Sequence, residues 1–288
     1  MAAPLDPLPH FQDYAHPEAL VSAAWLSARL GTPGLKVVEA DEDRLLYDIG
    51  HIPTAVRIDW HHDLADPLTR DFIDGQAFAE LMHEKGISKD DTVVIYGDRS
   101  NWWAAYTFWV FKLFGHEDVR LLDGGRDAWM SEERDTSFLV PDPTPGNYPT
   151  AVRQEKNLRI RVSEVRAELD DTPIVDARSE EEFVGHALEG MECPATQRGG
   201  HIPGAMNYPW SEAVDPSGRF LRREALEQHY AHLDPAERTI VYCGLGDRSA
   251  HTWFVLTYLL GFREVLNYDG SWAEWGNMIG MPIATGSE

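Results

Sequence analysis

One stretch of the chain combines a nucleophile, turn-forming glycines and a permanent cation: Cys243-Gly244-Leu245-Gly246-Asp247-Arg248-Ser249. Two glycines one residue apart let the backbone curl until successive N–H groups point inward, which makes an anion-binding nest. A helix starting just after it would aim its N-terminus at the same place and add positive potential. Arg248 brings a guanidinium close by. A thiol at the mouth of this cradle is expected to lose its proton more readily than a free one, so Cys243 reads as a nucleophile. Asp247 opposes that trend if it turns inward and is therefore expected to face outward. The plainer alternative, a small buried cysteine at a strand end, accounts for neither the glycines nor the arginine.

Other candidate chemistry is thinner. There are two cysteines in all, which gives no disulfide framework. Cys193 sits in the loop 190–199, either as a resolving partner for an oxidised Cys243 or as an unreactive loop thiol. His61-His62-Asp63 lacks metal-ligand spacing, because adjacent histidines point different ways. Gly244 and Gly246 open a G-x-G pattern, but Ser249 stands where a third glycine would complete a dinucleotide site. No metal and no cofactor is expected.

The elements that must hold the loop occur twice. Gly50-His51-Ile52-Pro53 returns as Gly200-His201-Ile202-Pro203, and Val37-Val38-Glu39-Ala40 as Ile174-Val175-Asp176-Ala177. Val93-Val94-Ile95-Tyr96 returns as Thr239-Ile240-Val241-Tyr242, and Leu122-Asp123-Gly124-Gly125 as Tyr268-Asp269-Gly270-Ser271. Tyr96 and Tyr242 are 146 positions apart, as are Asp123 and Asp269, so two independent markers agree on one duplication. His51 and His201 recur in both copies and therefore read as structural, bonding to backbone near the sheet. Contiguous apolar runs at 93–96 and 239–242 predict buried strands. Each is followed by a helical-period segment, Trp102–Phe114 or Ala250–Leu260, ending at Gly115 or Gly261. Strand, loop, helix and strand make the βαβ pattern of a parallel sheet flanked by helices, so the fold class is α/β. Ligands of such sheets sit beyond the carboxyl ends of strands, which is where the loop after Tyr242 lies. The proline-dense run Pro141–Pro149 predicts a stiff, extended linker. The expected division is an N-terminal arm at 1–19, a first domain at 20–137, a linker at 138–156 and a second domain at 157–288.

Composition excludes several partners. Across 288 residues the formal charge is −23, a field that repels phosphate backbones and anionic lipid, so neither nucleic acid nor membrane is an expected partner. A small anionic substrate needs a local positive pocket. Met1 to Ala19 has no basic region followed by an apolar stretch and does not read as a secretory signal. The most apolar run, Trp253–Phe262, is too short to span a bilayer. A cytoplasmic location is expected.

Taken together, the two Gly-His-Ile-Pro motifs, the loop Cys243–Arg248, the run Ser249-Ala250-His251-Thr252-Trp253 and Tyr268-Asp269-Gly270-Ser271-Trp272 resemble the tandem-domain rhodaneses, the thiosulfate/3-mercaptopyruvate sulfurtransferases. The resemblance spans about Val21 to Ile283. It implies two similar α/β domains, each a parallel sheet flanked by helices, with only the second catalytic. Where the second copy has Tyr242-Cys243-Gly244, the first has Tyr96-Gly97-Asp98, so its implied role is structural, as a wall of the site. Trp102 and Trp103 either line that wall or belong to the core. The implied reaction passes a sulfur from a small anionic donor to cyanide or a thiol through a persulfide on Cys243. The implied substrate-binding residues are Arg248, Arg178 and the loop Gly244, Leu245, Gly246, Asp247 and Ser249. For Arg178 the alternative is an ion pair with Glu181 or Glu182.

On the donor the motifs divide. Gly244 resembles mercaptopyruvate enzymes, whereas Asp247-Arg248-Ser249 resembles bacterial thiosulfate enzymes. Val184 replaces a second arginine that mercaptopyruvate enzymes use. The reading is thiosulfate, with 3-mercaptopyruvate as the alternative. Two further readings compete: a cysteine-dependent phosphatase, whose loop has five residues between cysteine and arginine against four here, and a non-catalytic rhodanese-like interaction module.

Overall fold

Runs of β-branched residues with no polar break can satisfy their backbone only inside a sheet covered on both faces, and each becomes a short parallel strand. The computed structural model describes residues 3–185 and 198–286. The first sheet holds β1 (Leu20–Val21), β2 (Leu35–Glu39), β3 (Val56–Arg57), β4 (Thr92–Tyr96) and β5 (Val119–Leu122), all parallel, in the order β1-β5-β4-β2-β3. The second holds β6 (Ile174–Asp176), β7 (Met206–Asn207), β8 (Arg238–Tyr242) and β9 (Glu264–Asn267), also parallel, in the order β7-β6-β8-β9. A parallel bridge from Arg159 to Asn267 stands on the edge of β9 where the first sheet has β1. The two sheets thus repeat one topology, as the duplicated motifs require.

The chain divides into two compact units, Met1–Gln154 with Asp215–Phe220, and Glu155–Val214 with Leu221–Glu288. Asp215–Phe220, expected inside the second domain, therefore groups with the first. The proline-rich stretch belongs to the first unit as well. Its backbone is extended and is pinned there by Gly146 N–H to His83 O at 3.0 Å and Ala151 N–H to Gly75 O at 3.1 Å. Proline density supplies the extension, and the few N–H groups that remain supply the anchors.

The repeated motifs become the fixtures of each core. The hydroxyl of Tyr96, at the end of β4, donates to Glu39 and accepts from Ile52 N–H. That of Tyr242, at the end of β8, donates to Asp176 and accepts from Ile202 N–H at 3.1 Å. His51 stacks on Tyr47 and bonds its carbonyl at 2.9 Å, while His201 stacks on Phe183 and bonds its carbonyl at 2.8 Å. Gly-His-Ile-Pro thus ties the turn before β3 or β7 to the central tyrosine. Among the described residues no helix is long and apolar enough to cross a membrane.

The helix after the Cys243 loop starts earlier than its periodicity suggests, at Asp247, and runs to Phe254. It then widens into a π-helical turn, Val255–Leu260, and stops at Gly261 with φ +78°. The widened turn accommodates one extra residue per turn under the buried Val255, Leu256, Leu259 and Leu260.

Candidate functional site

Beyond Tyr242 the chain is gripped from several directions. The Cys243 N–H donates to Ser271 Oγ at 3.1 Å, and its carbonyl accepts from Trp272 N–H at 2.9 Å. Gly244 O accepts from Ala273 N–H at 3.0 Å. The first N–H groups of the helix Ser271–Trp275, which have no partner within that helix, thus hold the loop's carbonyls. At the other end of this helix Arg198 donates to the carbonyls of Trp275, Gly276, Met278 and Met281. Gly246 has φ +102°, and this bend aims its N–H at Cys243 Sγ, 3.1 Å away. Only glycine fits: a Cβ here would stand 2.9 Å from the Cα and the carbonyl oxygen of Asp269.

The sulfur is completely buried, at 0% exposure. Around it lie Gly246 N, Asp247 Oδ1 at 3.4 Å, Ser249 Oγ at 3.5 Å and Ser271 Oγ at 3.9 Å. The Ser249 hydroxyl directs its one proton to Asn267 Oδ1 at 2.7 Å, and Ser271 directs its own to Tyr268 O at 2.8 Å. Two expectations need correction here. Asp247 does not face outward; it is 6% exposed and turned toward the sulfur. The Cys243 thiol is not acidified in this resting loop. Burial pushes it above its ordinary value, the Asp247 carboxylate adds to that, and Arg248 opposes it without winning. Asp247 is itself pushed up by burial, against the pull of Arg248 and of nearby backbone N–H groups.

Both arginines are committed to carboxylates. Arg248 makes a two-pronged pair with Glu182, at 2.7 and 3.1 Å. Burial works to raise Glu182, yet this guanidinium outweighs it and holds the carboxyl below its usual range. Arg178 pairs with neither Glu181 nor Glu182. Its guanidinium holds Asp176 at 2.6 Å and Gly200 O at 2.8 Å and lies over the Trp272 ring. With Asp176 wholly buried, this pair carries structure: it ties β6 to the turn before β7 and shares Asp176 with Tyr242. Arg178→Ala should therefore lower unfolding stability by about 3–5 kcal/mol, because it strands a buried carboxylate. Urea unfolding checks this. A midpoint left unmoved, with only KM raised, would restore the substrate-contact role.

Of the remaining loop residues, Gly244 is buried and Leu245 is the exposed one, at 39%. Ser271, Glu182 and Asn267 were not among the residues expected at the site. Ser271 left a trace: it adopts φ +53° where the first copy has Gly125 at φ +54°. An L-residue kept in glycine's conformation marks a side chain in use. Cys193 lies outside the described residues. Among the described residues, no three His, Cys, Asp or Glu side chains gather as metal ligands. Cavities of 490 and 270 Å³ open in the first unit beside Lys85 and Pro141, and neither includes a loop residue.

The first copy's loop is closed to this chemistry. Gly97 takes the place of Cys243, and a Cβ there would lie 2.3 Å from Ala40 O. Asn101 Oδ1 accepts the Gly97 N–H at 3.0 Å and lies where a Cβ on Gly125 would fall, so a carboxamide does here what the Ser271 hydroxyl does for the Cys243 N–H in the second copy. Asp98 is buried and accepts from Glu42 N–H at 2.8 Å. Trp102 and Trp103 are buried, with Trp103 stacked on Trp60 at 3.6 Å.

Comparison with known proteins agrees with this duplication. The rhodanese-like domain model matches residues 22–132 and again 161–278. A thiosulfate sulfurtransferase of Corynebacterium glutamicum is 64% identical, covering 99% of this chain and 97% of its own length. The sulfur carrier protein TtuD of Thermus thermophilus is 49% identical over 96% of this chain and 99% of its own. Among solved structures, the 3-mercaptopyruvate sulfotransferase SseA from Escherichia coli superposes with a TM-score of 0.76 at 27% identity, covering 88% of this chain and 98% of that one. With a duplicated parallel sheet, a cysteine loop in the second copy and family matches over both, the chain belongs to the rhodanese family.

Proposed function

We propose that this chain is a thiosulfate sulfurtransferase working through a persulfide on Cys243. One observation carries the reading: the Cys243 sulfur is fixed at the end of a central strand, under the Gly246 N–H at 3.1 Å, with a guanidinium in the same loop. A sulfur so placed accepts hydrogen bonds, as a sulfur that bears negative charge must. In the first half-reaction the sulfur attacks the outer sulfur of thiosulfate. A new S–S bond forms, the bond between the donor's two sulfurs breaks, and its electron pair leaves on sulfite. In the second, cyanide or a thiol attacks the outer sulfur and the thiolate leaves.

The two carboxylate–guanidinium pairs divide the remaining labour. Arg248 reaches the donor's charge by exchanging Glu182 for it, one anion for another, so the cation is never buried alone. Gly244, Leu245, Gly246, Asp247 and Ser249 form the ring round the transferred sulfur. Arg178 supports this ring from β6 without touching the donor. Mercaptopyruvate is the second reading, supported by Gly244 and by the likeness to SseA. A cytoplasmic setting, where thiols stay reduced, suits the chemistry.

The test is intact mass after incubation with thiosulfate and, separately, with mercaptopyruvate. The expected result is a gain of one sulfur atom from thiosulfate, removed again by cyanide. A gain from mercaptopyruvate alone would replace the donor, and no gain from either would end the persulfide reading.

A further inference from the structure

We infer that Asp247 is a catalytic residue, the base that takes the proton of the Cys243 thiol as its sulfur attacks the donor. The inference rests on the persulfide reading and adds the step that reading leaves open: where the proton of a buried thiol goes.

The geometry singles Asp247 out. Its Oδ1 stands 3.4 Å from Cys243 Sγ, within reach of an S–H donor, and no solvent-facing rotation explains it, since the residue is 6% exposed. An acid in the first turn of a helix finds its favourable dipole interaction at the surface, without burial. Folding one against a buried thiol is costly unless the two groups interact. The hydroxyls nearby cannot take the proton, because Ser249 and Ser271 are poor bases whose hydrogens already point at Asn267 Oδ1 and Tyr268 O. The other charged groups on the elements packed round the loop have partners. Arg248 is held by Glu182, Asp269 by Arg159 and Asp176 by Arg178. Burial raises both the carboxyl and the thiol, so the acceptor becomes more basic along with the donor it must serve.

The step balances with the donor alone. The S–H bond breaks and hydrogen passes to Asp247 Oδ1, while the sulfur's electron pair forms the new S–S bond. The donor's own S–S bond breaks and its pair leaves on sulfite. The proton on Asp247 then goes to the departing sulfite or to the outer sulfur of the persulfide, and the carboxylate is restored. The resting thiol stays neutral and protected from oxidation, and becomes a thiolate only when a donor is in place.

The test is single-turnover sulfur uptake from thiosulfate by the full chain, followed by intact mass, for the parent protein, Asp247→Asn and Asp247→Glu across pH. With Asp247 as the base, Asp247→Asn slows uptake about 10²–10³-fold at neutral pH. Its rate then climbs roughly tenfold per pH unit as hydroxide replaces the missing base, and Asp247→Glu recovers part of the loss. If Asp247 is merely a buried charge that disfavours the thiolate, the sign reverses: Asp247→Asn alkylates and takes up sulfur faster than the parent at neutral pH. That result overturns the inference. Should both variants unfold, the solvent isotope effect on uptake by the parent decides: a thiolate formed before the step makes uptake faster in heavy water, so an inverse ratio overturns the role, and a proton in flight to Asp247 removes that inversion. A parent protein that takes up no sulfur would instead refute the persulfide reading on which the inference stands.

Discussion

Cys243→Ser should leave both units folded and reduce sulfur transfer by roughly 10³–10⁶-fold, the range seen when a covalent nucleophile is removed. The fold survives because the substitution is nearly isosteric. The Cys243 N–H and carbonyl keep their bonds to Ser271 Oγ and Trp272 N–H, and the Gly246 N–H finds an oxygen where it had a sulfur. The chemistry does not survive, because a buried serine hydroxyl beside Asp247 is much harder to ionise than a thiol, and oxygen makes no stable link to a sulfane sulfur. Steady-state transfer to cyanide and intact mass check the two halves separately. Cys193 is the internal control: with only two cysteines in the chain, sulfur that still loads onto Cys243→Ser must sit there. Full transfer activity in Cys243→Ser would sink the mechanism.

How much of this site could be read from the chain depends on what kind of information each residue carries. Duplication exposed the architecture, because paired markers at one offset need no three-dimensional knowledge. Tyr96 and Tyr242 do end equivalent central strands, and the strand β8 delivers Cys243 where a parallel sheet presents ligands. Side-chain direction within the loop was another matter. The sign of φ at Gly246 decides whether residue 247 turns toward the sulfur or away, and a glycine in a sequence permits either. Arg178 and Arg248 show the same limit. Local spacing offers Glu182, four residues on, as the partner of Arg178. The fold gives Glu182 to Arg248, 66 positions distant, and gives Arg178 the acid two residues before it. Glu182 and Arg248 stand in the first turns of helices that follow the neighbouring strands β6 and β8, and which helix starts meet is set by strand order, which no single segment displays.

The thiol departs from its expected acidity for a related reason. Glycines, a helix start and an arginine all favour an anion, and each is legible. Burial and the neutralisation of Arg248 by Glu182 disfavour one, and neither is. The resulting loop is a guarded one: its cation is capped, its sulfur dry and its nearest acid within hydrogen-bond reach. On the proposed mechanism the proton leaves this sulfur only as a donor is attacked, so the thiolate belongs to the reaction rather than to the resting loop.

The loop's geometry is the second large lever, and Gly246→Ala tests it. At φ +102° an alanine is strained by about 1–3 kcal/mol before any contact is counted. Its Cβ then meets the Asp269 Cα and carbonyl oxygen at 2.9 Å, backbone atoms that cannot rotate aside. Asp269 cannot yield either, because Arg159 clamps its carboxylate with two bonds of 2.7 Å. The loop must therefore shift, and the Gly246 N–H leaves the sulfur. Removing one such donor from a charge-stabilising site costs about 10²–10³-fold in rate, so persulfide formation should fall by that factor while the sheets persist. Gly280→Ala supplies the comparison. That residue also has positive φ, +80°, but nothing lies within 4 Å of the added carbon, so it carries the backbone strain without the collision. Single-turnover uptake and urea unfolding on both variants separate the two effects. Equal losses in Gly246→Ala and Gly280→Ala would mean that strain alone matters and that the N–H above the sulfur does nothing for the reaction.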